Sequence, residues 1–386
     1  IIGLLFIPRL CEDRSLYLIV SLTIILNAIG MEWLYKALEQ YSYITIRSMI
    51  FKVISLAVMF LMVHHQEDYV IYGGITILAS SASNIMNLFN VRRYIAIRPI
   101  GKYHPMRHMK AVAVFFAMAC STTIYTNLDT VMLGFMKTDT DVGYYNAAVR
   151  IKTILVSIVT SLGTVLLPRM SYYIEHEQFR KFYKVSRKSL NFVILLAAPL
   201  VLYFIVFARQ GIYFLSGTAY EGAVIPMQII MPTVLLIGIT NILGIQILVP
   251  LGKEKTVLRS EVAGAVTDLI LNLILIPHMS SSGAAIGTLV AETVVLIVQY
   301  TGLRKKGKKL FRTVRYGKIT LALFWAALAS LWVIPLQLGS FITLFCSSVL
   351  FFCMYGCVLV ITKEPLALEI CSQIFDFLNK KHGKIL

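Results

Sequence analysis

The hydrophobic positions along this chain form long runs that short polar or basic stretches separate. Eleven runs approach or exceed the roughly 20 residues that a helix needs to cross about 30 Å of hydrocarbon. We therefore predict an all-α, polytopic membrane fold with eleven spanning helices. The runs lie near residues 16–35, 43–63, 69–89, 111–135, 143–168, 189–207, 223–249, 257–277, 283–302, 318–338 and 340–362.

Residues 1–8, IIGLLFIP, resemble the end of one further span. The chain starts in apolar sequence, without methionine and without a basic segment before the apolar residues. A secretory signal peptide would carry that basic segment. We expect an N-terminally truncated first bundle and no signal peptide.

Composition supports the membrane assignment. Of the 386 residues, 58% are hydrophobic and 14% are charged, and the mean hydropathy is +0.77. Water-soluble domains of this length are less apolar. The pattern therefore excludes an ordinary soluble enzyme.

The net charge of +17 could indicate a nucleic-acid-binding protein, so the distribution of the charges has to decide. Alternate loops contain 30 of the 36 Lys and Arg residues, as cytoplasmic loops of membrane proteins do. Runs such as RKKGKK at 304–309 are therefore interpreted as anchors beside anionic lipid head groups, and no nucleic acid is expected as a partner. The basic loops are 36–52, 90–110, 169–188, 253–259, 304–318 and 363–386.

The longest early basic loop, VRRYIAIRPIGKYHPMRHMK at 91–110, is a natural boundary between two helix bundles. The predicted parts are an incomplete N-terminal bundle (1–90), a cytoplasmic linker (91–110), a C-terminal six-helix bundle (111–302), a basic cytoplasmic loop (303–317), and two extra helices with a cytoplasmic tail (318–386).

An internal repeat relates the two bundles. Shifted by 214 residues, LTIILNAIGMEWL at 22–34 aligns with LIGITNILGIQIL at 236–248, which matches Asn27 with Asn241 and Gly30 with Gly244 and sets Glu32 against Gln246. Both copies run from the outside to a basic cytoplasmic turn. The repeat thus predicts a pseudo-two-fold axis along the membrane normal, an architecture of secondary transporters.

The sequence offers no catalytic or metal-binding motif. The cysteines lie mostly in apolar runs, where thiols pack as small hydrophobes, and the HExxH, GxSxG and Walker patterns do not occur. We predict a protein that is not an enzyme and that has no catalytic residue and no metal site.

A polar stripe crosses the apolar segment 143–168. Polar side chains recur every three or four residues on both sides of Arg150, so we expect one helix face to contact water. Lys152 lies about 200° around the helix from Arg150 and is expected to pack against a neighbour or to extend outward. The stripe consists of Asn146, Arg150, Thr153, Ser157, Thr160 with Ser161, and Thr164.

Other predicted spans also carry polar faces, and we expect these faces to line one central water-filled cavity. Ser and Thr side chains serve equally well as cavity lining and as links between helices, each worth about 0.6 kcal/mol. A charge in mid-span costs about 2.5 to 3.5 kcal/mol, which makes Glu292 and Arg150 functional candidates. Asp129 could instead face outer water, and Glu261 could be interfacial. The faces are Thr122, Tyr125, Thr126 and Asp129; Glu261, Asp268 and Asn272; Thr288, Glu292 and Gln299; and Asn27, Glu32, Tyr35 and Lys36.

The passage NLDTVMLGFMKTDTDVGYYNAAVRIKTILVSIVTSLGTVLLPRMS at 127–171 resembles the most recognisable segment of the Wzx-type oligosaccharide flippases. These flippases form the polysaccharide transporter branch of the multidrug/oligosaccharidyl-lipid/polysaccharide exporter superfamily. A second passage resembles the same family, LNLILIPHMSSSGAAIGTLVAE at 271–292. The resemblance implies two six-helix bundles in a V shape, here without about the first two and a half helices, plus two C-terminal helices.

The resemblance also implies a substrate, an undecaprenyl-diphosphate-linked oligosaccharide that alternating access moves from the cytoplasmic to the periplasmic leaflet for O-antigen, capsule or exopolysaccharide synthesis. Arg150 would bind phosphate, and Asp129, at a similar depth of about 8 to 11 Å, would pair with it between turnovers. Glu292 and Asp268 would couple transport to H⁺ or Na⁺, with no other cofactor. The substrate-binding candidates are Arg150, Asp129, Asn146, Thr153, Ser157, Glu32, Asn27, Asn241 and Gln246.

Two other functions stay open at this point. A cation-coupled multidrug antiporter would share the helix plan, and a membrane-embedded glycosyltransferase or ligase would need a larger outer loop than this chain offers. The expected surroundings are the bacterial inner membrane and its lipids, with proteins of polymer biosynthesis as further candidate partners.

Overall fold

The computed structural model describes residues 14–65, 68–95, 106–303, 305–336, 338–369 and 371–372. The described backbone is helical and contains no strand, so the all-α prediction is confirmed. The helices are α1 (Arg14–Ile29), α2 (Glu32–Ala37), α3 (Tyr41–Met62), α4 (Tyr69–Ile77), α5 (Ser83–Asn90), α6 (Met106–Met136), α7 (Asp139–Glu175), α8 (Phe179–Val206), α9 (Ala208–Ser216), α10 (Val224–Ile230), α11 (Pro232–Thr240), α12 (Glu254–Leu303), α13 (Lys305–Phe311), α14 (Tyr316–Leu331) and α15 (Ser340–Ile361). The predicted end of a span at residues 1–8 lies outside the described residues.

Six of these helices are long and apolar enough to cross a membrane, or seven if the bent pair Thr218–Ile230 and Pro232–Leu248 forms one span. This count is lower than the eleven predicted spans partly because α12 alone contains two of those spans. Its backbone breaks at Ser280, where φ is 49° and ψ is −129°. Three predicted spans coincide with helices that do not meet this criterion of length and apolarity. The span near 16–35 corresponds to α1 and α2, the span near 69–89 to α4 and α5, and the span near 111–135 to α6.

The chain divides into two compact units, Ile1–His104 and Pro105–Leu386. The division falls within the predicted linker 91–110. The C-terminal helices α14 and α15, which the sequence suggested as a separate part, cluster with the second unit.

In the first unit, the α1 helix ends at Ile29, just before Gly30, because Met31 adopts a left-handed conformation with φ 42°. Side chains of α5 support this break: Asn87 Nδ2 donates to the Gly30 carbonyl oxygen (2.6 Å), and Asn84 Nδ2 donates to Asn27 Oδ1 (3.0 Å). A Cβ atom on Gly30 would lie 2.5 Å from Asn84 Cγ, so only glycine fits here.

The second unit has a different irregularity at the aligned position. The α11 helix passes into a π-helix, Asn241–Leu248, and Gly244 within it packs against the Gln299 carboxamide, 2.9 Å from where a Cβ atom would stand. The 214-residue repeat therefore corresponds in structure to an irregular helix turn in each unit. π-helical turns occur often at functional sites.

The two halves of α12, residues 254–279 and 281–303, pack against each other as a hairpin. Gly264 lies against Val295, and Gln299 Nε2 donates to Ser260 Oγ (3.2 Å). Small residues permit this close approach of two helices, as at helix interfaces in membranes.

Helices α14 and α15 join the second unit through polar links as well as apolar packing. Tyr203 Oη on α8 donates to the Leu344 carbonyl oxygen (2.8 Å), and Tyr355 Oη donates to the Leu195 carbonyl oxygen (2.9 Å). Aromatic contacts around Tyr203 complete the interface. The C-terminal pair is thus an integral part of this unit.

Candidate functional site

A cluster of buried polar side chains lies inside the second unit, where α6, α7 and α12 meet. Its centre is Asp129 on α6, which is 1% exposed. Asp129 Oδ1 accepts a hydrogen bond from Asn272 Nδ2 (2.5 Å), and Oδ2 accepts from the Tyr145 hydroxyl group and from Thr288 Oγ1 (2.8 Å). Tyr145 Oη and Thr288 Oγ1 also lie 2.9 Å apart. Both oxygens of the Asp129 carboxylate therefore accept hydrogen bonds from protein side chains.

Asp268 belongs to the same cluster but lacks such support. It is fully buried, neither carboxyl oxygen accepts a hydrogen bond from a donor group, and its carboxyl group lies beside that of Asp129. Asp268 lies one turn before Asn272, and both side chains point at Gly287: a Cβ atom there would stand 3.2 Å from Asp268 Oδ1 and 2.5 Å from Asn272 Oδ1. Since Asn272 Oδ1 is also without a donor, three acceptor oxygens remain to be satisfied at this spot. A buried carboxyl group in this state needs a proton or a cation.

Glu292 and Lys152 complete the cluster. Glu292 is 2% exposed and follows Thr288 by one helical turn. Lys152 is half-buried on α7, and its amine lies within electrostatic range of Glu292, Asp129 and Asp268. We name Asp129, Asp268, Glu292 and Lys152 the buried charge cluster.

Arg150 lies apart from this cluster, and the expected ion pair between Arg150 and Asp129 is wrong. Arg150 is exposed and forms no ion pair with any described residue, whereas Asp129 is occupied by Tyr145, Asn272 and Thr288. The physical reason is helix rotation, because Arg150 lies on the opposite side of α7 from Tyr145 and Lys152. Lys152, which was expected to extend outward or to pack against a neighbour, takes the inward position.

The predicted stripe on α7 forms an exposed polar face. Thr153 Oγ1 donates to the Val149 carbonyl oxygen (2.9 Å) and Ser157 Oγ to that of Ile154 (2.7 Å), so these hydroxyl groups bond to their own helix. Asn146 is exposed and accepts from Thr130 (3.3 Å). The side chains of Thr164, Tyr125 and Thr126 lie outside the described residues. Because α7 is one of the helices apolar enough to span a membrane, a face that carries Arg150 must meet water and not lipid.

The remaining candidates lie elsewhere. In the first unit, Glu32 pairs with Lys36 at 3.5 Å on an exposed turn, and Asn27 is held by Asn84. In the second unit, Gln246 is fully buried and its Nε2 donates to Asn241 Oδ1 at 3.4 Å. These carboxamides support the irregular helix turns and do not join the buried charge cluster.

Tyr145 was not among the residues predicted from the sequence, and for Lys152 packing against neighbouring helices was one of the two predicted positions. One signal was available: Lys152 follows Tyr145 by seven residues, almost two full turns, so both lie on one face of α7. This face turns inward because Tyr145 contacts Asp129 and Thr288. These two residues are 16 and 143 residues away from Tyr145 in sequence.

The described part of the chain is all-helical, contains helices long and apolar enough to span a membrane, and carries a buried charge cluster and a cationic polar face, as expected of a multi-pass membrane protein. The family model described as "Polysaccharide biosynthesis protein" matches residues 5–174, and the MatE family model matches residues 114–274. These matches confirm the predicted resemblance to the polysaccharide transporter branch of the exporter superfamily.

Individual relatives support the same resemblance. The chain is 26% identical to the "Putative O-antigen transporter" of Escherichia coli (strain K12) over 70% of this chain and 65% of that protein. It is 29% identical to the "Probable flippase AglR" of Haloferax volcanii over 47% of this chain and 38% of that protein. These names describe transporters and flippases, the predicted class.

Among solved structures, the fold resembles "Lipid II flippase MurJ, inward closed conformation" with a TM-score of 0.57 and 17% identity. The match covers 82% of this chain and 65% of that chain, so the present chain spans less than two thirds of the length of this structure and of the Escherichia coli relative. At this identity the likeness establishes the fold.

Proposed function

We propose that this chain works in a flippase that moves undecaprenyl-diphosphate-linked oligosaccharide units from the cytoplasmic to the periplasmic leaflet of a bacterial inner membrane. The observation that carries the proposal is Arg150, an exposed cation on the polar face of a spanning helix that has no ion pair with the residues that the structure describes. A guanidinium group offers a planar, permanently charged fork that fits phosphate oxygens. The names of the relatives support the same substrate class.

Along the polar face, Asn146, Thr153 and Ser157 supply hydrogen-bonding groups beside Arg150. A diphosphate and a hydrated sugar chain need such groups to cross hydrocarbon, while the polyprenyl chain can stay in the lipid. The face thus provides the polar part of the path for alternating access.

For energy coupling, we propose the unsatisfied oxygens of Asp268 and Asn272, together with Glu292 in the other half of α12, as the place where H⁺ or Na⁺ is exchanged. Asp129 holds the arrangement in place through Tyr145, Thr288 and Asn272. Lys152 provides a positive charge that balances the cluster.

Deletion of the gene in its source cell, followed by mass spectrometry of lipid-linked sugars, tests this function. The deletion should lose surface polymer and accumulate the lipid-linked oligosaccharide. Wild-type chain should restore the polymer, Arg150→Lys should restore it partly and Arg150→Ala hardly at all, since lysine binds phosphate only as a point charge. Arg180→Ala, which removes another exposed arginine, is the matched control.

The exchange Asp129→Arg with Arg150→Asp separates phosphate binding from a structural ion pair. Because Arg150 and Asp129 are not paired, the double variant should stay inactive at matched protein levels. Restored polymer would overturn the phosphate-binding role.

The MatE match over residues 114–274 favours a second candidate, a cation-coupled multidrug antiporter. Under that alternative the deletion would make cells sensitive to cationic drugs and leave the lipid-linked sugars unchanged.

A further inference from the structure

In the first unit, Arg47 on α3 is a buried cation without an anion. Its side chain is 5% exposed, and Nε and Nη1 have no hydrogen-bond partner. The guanidinium carbon lies 5.8 Å from the centroid of the Tyr43 ring, and no ion pair of the described chain includes Arg47. A cation–π contact replaces only part of the lost hydration, so the geometry leaves this charge undercompensated.

A cavity of about 230 Å³ adjoins this side chain. Its lining surface is apolar, and two side chains at its edge are exposed among the described residues, Ile46 by 61% and Ile50 by 52%. The cavity is smaller than the roughly 300 Å³ at which pockets for whole small molecules begin. It can take a head group while an attached chain stays outside. The lining residues are Tyr43, Ile46, Arg47, Ile50, Phe51 and Met86.

The position along the helix matches the polar boundary of a bilayer. Arg47 follows the start of α3 at Tyr41 by six residues, about 9 Å along the axis. The charge distribution places this end of α3 at the cytoplasmic face. Phosphate groups of lipids lie in that boundary layer, and the cytoplasmic leaflet is the one rich in anionic lipids.

We propose that Arg47 binds the phosphate of an anionic phospholipid of the cytoplasmic leaflet. The guanidinium group turns from the Tyr43 ring to the phosphate oxygens in the cavity, and an acyl chain runs along Ile46 and Ile50. Charge-assisted bonds to phosphate then satisfy Nε and Nη1. This inference does not rest on the transport function proposed above.

Native mass spectrometry of the full chain with added phosphatidylglycerol or phosphatidylcholine tests the proposal. The wild type should retain phosphatidylglycerol in preference to phosphatidylcholine. Arg47→Gln should weaken that retention at least about tenfold, the loss expected for one charge-assisted hydrogen bond. Lys52→Gln, which removes an exposed charge from the same helix, should change it less than about twofold.

A second variant keeps the test decisive if Arg47→Gln folds poorly. Ile50→Trp leaves the charge in place but fills the mouth of the cavity from an exposed position, and it should also lose phosphatidylglycerol. Equal retention by Arg47→Gln and wild type would overturn the proposal. So would an equal loss in Lys52→Gln, or binding of an undecaprenyl phosphate but not of phosphatidylglycerol.

Discussion

Asp129 and Asp268 occupy the same buried charge cluster but differ in their hydrogen bonding. Asp129 receives bonds from Tyr145, Thr288 and Asn272, whereas both oxygens of Asp268 lack a donor. A carboxyl group that is already satisfied gains little from a further ligand, and an unsatisfied one gains much. We therefore propose a structural role for Asp129 and exchange of the coupling ion at Asp268 with Glu292.

This assignment predicts opposite effects of two similar substitutions. Asp129→Asn should lower the free energy of unfolding by about 1.5 to 3 kcal/mol, because it removes charge-assisted bonds. Asp268→Asn should leave stability unchanged or raise it, because it removes a buried carboxyl group without a partner. Thermal unfolding of both variants in one detergent checks the contrast, and equal destabilisation by the two would contradict it.

Transport by Asp268→Asn and Glu292→Gln should lose its dependence on the H⁺ or Na⁺ gradient. The amides keep the size of the side chains but can neither release a proton nor supply a negative charge. Transport is measured in vesicles with an imposed gradient of each ion in turn. A Glu292→Gln variant with wild-type rate and wild-type gradient dependence would exclude Glu292 from coupling.

At the scale of single elements, irregular helix turns and close helix contacts shape the second unit. The break at Ser280 folds α12 into a hairpin, and Gly264 allows its halves to meet. A Cβ atom on Gly264 would stand 2.6 Å from Val295 Cγ2, so a methyl group there would push the halves apart.

Gly264→Ala should therefore destabilise the protein by roughly 1 to 3 kcal/mol, the usual cost of overpacking. Gly356→Ala on α15 is the matched control, because nothing lies within 4 Å of its Cβ position. That variant should be neutral or slightly stabilising, since alanine favours helix over glycine. Thermal unfolding measures both, and an equal effect of the two variants would contradict the hairpin packing.

The sequence allowed much of the element structure to be predicted. Apolar runs located most helices, and the repeat pointed to Gly30 and Gly244, where both units contain an irregular helix turn. The inward face of α7 could not be predicted, because Tyr145 and Lys152 stand among apolar residues and their partners lie on α6 and α12. Such contacts depend on tertiary packing that the period of a single helix does not encode.

At the scale of the whole molecule, the distribution of positive charge determines the expected orientation. The connection between α6 and α7 should be periplasmic, and α13, with its run of lysines, should be cytoplasmic. The connection itself is tight: Thr138 caps α7 and exchanges hydrogen bonds with Asp141. This short turn leaves no room for a catalytic outer domain at this point.

Cysteine labelling tests the orientation. In a background without the six native cysteines, Thr140→Cys should react with a membrane-impermeant maleimide from outside, and Lys309→Cys should react only after permeabilisation. Both positions are exposed, so burial cannot explain a missing signal. The reverse labelling pattern would contradict the orientation, and with it the direction proposed for transport.

The most direct test of the central claim is translocation by the purified chain in proteoliposomes that contain a fluorescent undecaprenyl-diphosphate oligosaccharide. Access of an impermeant reagent to the sugar measures the exchange between leaflets. We expect the wild type to exceed protein-free liposomes, Arg180→Ala to match the wild type, and Arg150→Ala to lose at least about tenfold in rate, equivalent to roughly 1.4 kcal/mol. Wild-type protein at matched incorporation that exchanges the lipid no faster than protein-free liposomes would contradict the account.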